Sequence, residues 1–246
     1  MAKKLEEGYG TKVLMNVPEV DQVDLSAFSE GKAKETRRFH ESIPVYNWTP
    51  LLQLRGLSGK LGVKGIFVKN EAERFGMKAF KGLGGTYAMF RILCRELGLD
   101  SGKVDFSEFQ KADVREKTAK YTFVTATDGN HGKGVSWASG LFGAHAYVYM
   151  PKGTVKAREE AVRQAGPAEV TVTDWNYYDA VKYAKNMSEE HGWFLIQDTS
   201  WDGYEEIPGW IMDGYLTMAS EAAEQIEASG EIPTHVFLQA GVGSMA

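Results

Sequence analysis

Residues 121–151 read YTFVTATDGNHGKGVSWASGLFGAHAYVYMP. Tyr121 to Ala126 is rich in β-branched and aromatic residues, the composition of a strand. Gly132 to Phe142 reads as a helix that stops at Gly143. Ala144 to Met150 reads as a second strand, closed by Pro151. A strand, a helix and a strand in this order form a βαβ unit, and its two strands run parallel.

The alternation continues on both sides. Downstream, Val155 to Ala165 is a predicted helix closed by Gly166, and Glu169 to Thr173 a strand. Tyr177 to His191 is a helix closed by Gly192, and Trp193 to Gln197 a strand. A long helix follows near Ile207–Ala228, and His235 to Gln239 reads as a last strand. Upstream, Gly65 to Asn70 is a predicted strand and Ala79 to Leu97 a helix ending before Gly98. Residues 1–45 are polar and mixed, which predicts an extended arm with short local structure. Residues 99–120 are rich in charge and predict an exposed connection. Short strands between longer helices give an α/β fold class with open parallel sheets.

The 246 residues carry 28 basic and 33 acidic side chains, a formal charge of −5. No basic stripe appears, so bulk charge gives no argument for nucleic acid. No run approaches the ~20 apolar residues that span a bilayer. The N-terminus lacks an apolar signal core, and a soluble cytoplasmic protein is the expectation. The single cysteine, Cys94, excludes an internal disulfide and a cysteine metal cluster and falls on a helical pattern as a buried apolar residue. No metal site is expected.

Three segments carry chemistry. The first is Phe75-Gly-Met-Lys-Ala-Phe-Lys-Gly-Leu-Gly-Gly85. Lys69, Lys78 and Lys81 compete there as the reactive amine. Lys81 directly precedes Gly82, Gly84 and Gly85 at a helix start, where small residues let a flat cofactor approach the backbone. An amine in that position can form a Schiff base with an aldehyde such as pyridoxal phosphate. The alternative is a solvated lysine at a helix start.

The second is Thr127-Asp-Gly-Asn-His-Gly132. Asp128 offers a carboxylate and Asn130 an amide suited to a ring hydroxyl or carboxylate. Gly129, Gly132 and Gly134 free backbone N–H groups to face an anion near a helix N-terminus. The competing readings are an Asx-turn for Asp128 and an N-cap for Asn130. His131 reads by itself as a packing or capping residue.

The third is Gln239-Ala-Gly-Val-Gly-Ser244, a glycine turn after an apolar run. Gly241, Val242, Gly243 and Ser244 could cradle a phosphate with backbone N–H groups and a hydroxyl. Asp198 ends a predicted strand, where ligands bind in open parallel sheets, and could hold a substrate ammonium. It could equally be an N-cap or turn residue. Trp201, Tyr204 and Trp210 cluster after it and read as packing.

Together these segments, with Tyr149-Met-Pro-Lys-Gly153, Gln197 to Tyr204 and Ile207 to Met212, resemble the fold type II (tryptophan synthase β-like) pyridoxal-phosphate enzymes. The resemblance runs from about Val45 to Ala246. Within that family the chain is most similar to the diaminopropionate ammonia-lyases, because dehydratases and racemases usually carry serine where this chain has Asp128. The resemblance implies that Lys81 carries the cofactor and that Asn130 pairs with its ring hydroxyl. It also implies that the Gly241–Ser244 turn belongs to the phosphate cradle and that Thr127, Asp128 and Asp198 meet the substrate. Lys81 and Asp128 would be the catalytic bases on opposite faces, so that both D- and L-2,3-diaminopropionate lose ammonia and give pyruvate. A homodimer is implied as well.

Two lobes follow from the resemblance. Residues 1–88 and 200–246 would belong to a large lobe, and 89–199 to a small one. Family members continue well past residue 246, so the sequence is read as the N-terminal part, with the C-terminal part of the large lobe absent. Threonine or serine dehydratase, racemase and an inactive fragment are the alternatives. A nicotinamide-dependent dehydrogenase would share the α/β class, but no Gly-x-Gly-x-x-Gly follows the first strand.

Overall fold

The computed structural model describes residues 28–245 and the backbone of a hairpin made by β1 (Lys3–Gly8) and β2 (Thr11–Met15). Then come α1 (Glu30–Glu41), β3 (Leu51–Gln53), α2 (Arg55–Leu61) and β4 (Phe67–Lys69). β3 and β4 pair antiparallel as a separate two-stranded sheet, so the predicted strand at 65–70 lies outside the parallel array. α3 (Lys81–Leu97) and α4 (Ala112–Thr118) lead into β5 (Thr122–Ala126), α5 (Asn130–Phe142), β6 (His145–Met150), α6 (Lys156–Ala165), β7 (Glu169–Val172), α7 (Tyr177–His191), β8 (Phe194–Leu195) and α8 (Glu206–Ala228). Among the described residues no helix is long and apolar enough to cross a membrane.

The main sheet has the order β7-β6-β5-β8, with every pair parallel. The chain moves outward from β5 to β6 to β7, then crosses back to lay β8 on the other side of β5. That reversal makes a topological switch point between β5 and β8. The crevice outside the carboxyl ends of these two strands is where such sheets bind ligands.

Alternation along β5 sorts its side chains to two cores. Phe123 joins Val135 and Ala138 of α5 and Ala146 and Val148 of β6 in one core. Val124 and Ala126 face Ala180 and Ala184 of α7. Helices cover both faces, as a parallel sheet requires. The helix ends follow local rules. Asn176 caps α7 by accepting from Asp179 N at 3.1 Å. Gly143 and Gly192 end α5 and α7 in the left-handed conformation.

Three expectations need correction. Residues 1–45 contain a full helix, α1, whose Phe39 and His40 are buried. The stretch 99–120 is no exposed connection, because Phe106, Phe109 and Val114 enter the main core from a 3₁₀ turn and α4. Three apolar residues outweigh the charge of their neighbours, which stays at the surface. The strand predicted at His235–Gln239 is absent. Those residues are irregular, with Phe237 90% exposed, and no described strand lies alongside them. A strand needs a partner for its backbone groups, and composition alone cannot supply one.

Candidate active site

α3 begins at Lys81 and crosses both α8 and α5. A Cβ on Gly84 would lie 2.7 Å from Ile211 Cγ2 and 2.8 Å from its carbonyl oxygen. One on Gly214 would meet Gly84 Cα at 2.6 Å. The glycines after Lys81 therefore let helix backbones touch, and do not open a path for a flat ligand. Gly134 has the same role on α5, where a Cβ would lie 2.8 Å from the Lys81 carbonyl oxygen. This close crossing holds the first turn of α3 against two helices and so fixes where Lys81 starts.

The segment before α3 is anchored from the other side. Arg74 is fully buried and donates two hydrogen bonds to Glu221 of α8, Nη1 to Oε1 and Nη2 to Oε2, both at 2.8 Å. Its Nε donates to Glu71 Oε2 at 2.8 Å. Lys69 Nζ donates to Glu221 Oε2 at 2.6 Å, to Thr49 O at 2.7 Å and to Gln225 Oε1 at 2.8 Å. That removes Lys69 from contention as a reactive amine. Phe75 and Lys78 have φ of 51° and 56°, positive values that the anchored loop imposes on non-glycine residues.

The loop after β5 is organised by Thr127. Its hydroxyl accepts from Gly129 N at 3.0 Å and from Gly132 N at 3.1 Å. Two of the N–H groups expected to face an anion are thus held by Thr127, while the hydroxyl keeps its own proton to donate. Gly129, with φ 151°, occupies the N-cap position that the competing reading gave to Asn130. Asp128 makes no Asx-turn. Among the described residues the Asp128 carboxylate and the Asn130 amide have no hydrogen-bond partner, and both are exposed.

Asp198 follows β8 across the switch point and is 6% exposed. Its neighbour Gln197 fixes it. Gln197 Oε1 accepts from Ala126 N at 3.1 Å, and its amide donates to the Tyr177 hydroxyl at 3.0 Å. The Tyr204 hydroxyl accepts from Gln197 N at 2.8 Å and donates to Leu195 O at 2.8 Å. Lys81 Nζ donates to Asp198 Oδ2 at 2.7 Å and to Ser244 Oγ at 3.4 Å. Burial alone would raise the Asp198 carboxyl. His131 and Lys81 beside it outweigh that and hold the group below its ordinary range, Lys81 through both an ion pair and a hydrogen bond. Lys81 Nζ also sits 5.3 Å from the ring centres of Phe80 and Tyr215.

Every candidate comes to one cavity of about 790 Å³. Lys81, Thr127, Asp128, Asn130, Asp198, Gly241, Val242, Gly243 and Ser244 all line it. A Cβ on Gly241 or Gly243 would meet nothing within 4 Å, so that turn presents bare backbone to open space. An amine at the cavity wall, an unpartnered amide and a glycine–serine turn fit an aldehyde cofactor bearing a ring hydroxyl and a phosphate.

Sequence reading missed other wall residues. His131 is buried beside Asp198, and Tyr177 lines the cavity from the start of α7. Burial, with Asp198 nearby, pushes the Tyr177 phenol up to about 12, so it stays protonated. Only its place at a helix start marked Tyr177. Tyr215, whose ring lies 5.3 Å from Lys81 Nζ and whose buried hydroxyl has no partner among the described residues, carries no local signal at all.

Comparison with known proteins agrees with this geometry. A family model described as pyridoxal-phosphate dependent enzyme matches residues 43–246. The diaminopropionate ammonia-lyase of Salmonella typhimurium is 49% identical over 223 residues, 90% of this chain and 55% of that one. The crystal structure of the Escherichia coli diaminopropionate ammonia-lyase in complex with D-serine has a TM-score of 0.85 at 47% identity, covering 89% of this chain and 55% of that one. The same enzyme in complex with an aminoacrylate-PLP azomethine reaction intermediate gives 0.82 at 47% identity, over 89% and 54%. The chain spans about half the length of the curated relatives it matches. With its switch-point cavity, its fold is that of the fold type II enzymes, and the chain belongs to the pyridoxal-phosphate dependent enzyme family.

Proposed function

We propose that the protein acts as a pyridoxal-phosphate dependent carbon–nitrogen lyase on 2,3-diaminopropionate. The net reaction takes up one water and releases pyruvate and two molecules of ammonia. The carrying observation is a lysine and two carboxylates, Lys81, Asp128 and Asp198, on one cavity. When bound, the cofactor supplies an electron sink for the α-carbanion.

The chain's own residues divide the remaining work. Lys81 is the attachment point and, once released, a base at Nζ on one face. Asp128, exposed in the cavity and without a hydrogen-bond partner among the described residues, is the base on the other face. Two bases on opposite faces allow both D- and L-substrate to react. Asn130 binds the ring hydroxyl. The Gly241–Ser244 turn takes the phosphate through backbone N–H groups and Ser244 Oγ. Asp198, freed when Lys81 turns to the cofactor, accepts the substrate ammonium, and Thr127 donates its hydroxyl proton to the substrate carboxylate. Dehydratases and racemases usually have serine at position 128, which favours the diamine over serine or threonine.

The lobes would be 1–88 with 200–246, and 89–199. A homodimer in the cytoplasm, engaged in amino-acid breakdown, completes the reading. The test is pyruvate formation from each enantiomer of 2,3-diaminopropionate, beside L-threonine and L-serine. Faster turnover of threonine or serine than of either diamine would overturn it.

A further inference from the structure

His131 is 5% exposed, and its two ring nitrogens have opposite situations. Nε2 lies 2.8 Å from Ile196 O. A carbonyl only accepts, so Nε2 carries a hydrogen. Nδ1 is buried, has no hydrogen-bond partner among the described residues and lies 3.8 Å from Asp198 Oδ2. That oxygen is the one that accepts from Lys81 Nζ at 2.7 Å. The three groups form a row in which Asp198 has a cation on one side and an open imidazole nitrogen on the other. Closing the second gap to hydrogen-bond length takes about 1 Å of movement.

A lysine attacks a carbonyl only as the free amine. Once Lys81 is neutral, Asp198 is a buried carboxylate without its ion-pair partner, which is costly. We propose that His131 is a positioning residue that receives the proton Lys81 must lose, by way of Asp198. The N–H bond of the Lys81 ammonium breaks and its electron pair stays on Nζ. The proton crosses Asp198 Oδ2 and ends on His131 Nδ1. Asp198 is an anion before and after the transfer, neutral only while it holds the proton; it ends paired with the imidazolium, and the Lys81 lone pair is open to a carbonyl carbon. The other titratable groups on the surrounding elements are Asp128 and Lys133 beside His131, Tyr177 of α7, Tyr204 after β8 and Tyr215 of α8. Among the described residues, Asp198 is the carboxylate within 4 Å of a His131 nitrogen.

The inference rests on Lys81 being the cofactor lysine, and two measurements separate the two ideas. The first follows attachment of pyridoxal phosphate to Lys81 by absorbance across pH, in the full chain and in His131→Gln. Gln keeps a donor for Ile196 O but has nothing basic at the Nδ1 position. The expected result is about tenfold slower attachment at neutral pH, a limb displaced by about one pH unit, and equal rates at high pH. Equal slowing at every pH would mean a structural role and would overturn the relay. The second measurement is the NMR titration of His131 in cofactor-free protein, wild type against Lys81→Met. Without the Lys81 charge, the imidazole should take its proton at higher pH, by about one unit or more. An unmoved midpoint overturns the proposal even where His131→Gln fails to fold. Absence of any adduct on Lys81 sinks the functional reading instead and leaves the titration to judge the relay.

Discussion

Lys81 Nζ and Asp198 Oδ2 stand 2.7 Å apart although 117 residues separate them in the chain. The pair spans the switch point, joining the first turn of α3 to the end of β8. It makes the amine a charged partner of a buried carboxylate, and any chemistry at Lys81 begins by breaking that contact.

The first expected outcome follows from the three competing lysines. Borohydride reduction of the protein with pyridoxal phosphate, then peptide mass mapping, should place the adduct on Lys81. Lys69 is held by three acceptors and Lys78 lies in a strained turn. An adduct on either would remove the assignment, and Lys81→Ala should abolish labelling.

Asp128→Asn should separate the enantiomers. The amide keeps the shape but cannot accept the α-proton, and loss of a general base costs about 100- to 10,000-fold. Turnover of D-2,3-diaminopropionate should fall by that order, and turnover of the L-form far less. The assay is steady-state pyruvate formation from each. Equal losses would assign Asp128 to binding or loop structure.

Two glycines of α8 should respond oppositely to alanine. At Gly214 the new methyl meets Gly84 Cα and Leu83 O at 2.6 Å, and backbone cannot yield as a flexible side chain would. Overpacking of about 1–3 kcal/mol outweighs the helix-propensity gain of up to about 1 kcal/mol. At Gly209 a Cβ meets nothing within 4 Å, so only the gain remains. Urea midpoints should fall for Gly214→Ala and rise for Gly209→Ala.

The Arg74–Glu221 pair sets an acid limit. Burial alone would raise the Glu221 carboxyl, but hydrogen bonds from Arg74 and Lys69 bring it down to about 2. A carboxyl depressed in the folded state stabilises above its unfolded value and loses that contribution as pH falls through the folded one. The window therefore runs from ~4.5 down to about 2. Glu221→Gln should lower stability at pH 7 by up to about 3 kcal/mol, since the buried Arg74 loses one of its two carboxylates and keeps only Glu71. It should also flatten the loss between pH 4.5 and 2. Denaturant midpoints at several pH values would show whether the slope in that window persists in the variant, which would exclude Glu221 as its source.

The sequence by itself determined the elements that local chemistry controls. Helices α5 and α7 end where Gly143 and Gly192 can turn left-handed, and α7 starts where Asn176 can cap it. The β-branched and aromatic composition of Tyr121 to Ala126 marked a strand, and the structure buries it on both faces. These signals act within a few residues, so one chain read in order contains them. Tertiary structure alone decided the rest. The glycines after Lys81 serve a helix crossing whose other half, Gly214, is 130 residues from Gly84 in the chain. Tyr177 reached the cavity wall with no mark but its place at a helix start, and His131, read as a packing residue, came to lie beside Asp198. Residues 235–239 have a strand's composition and no strand partner. Pairing and close packing are made between distant segments, and the free energy that selects them is not a property of either segment alone.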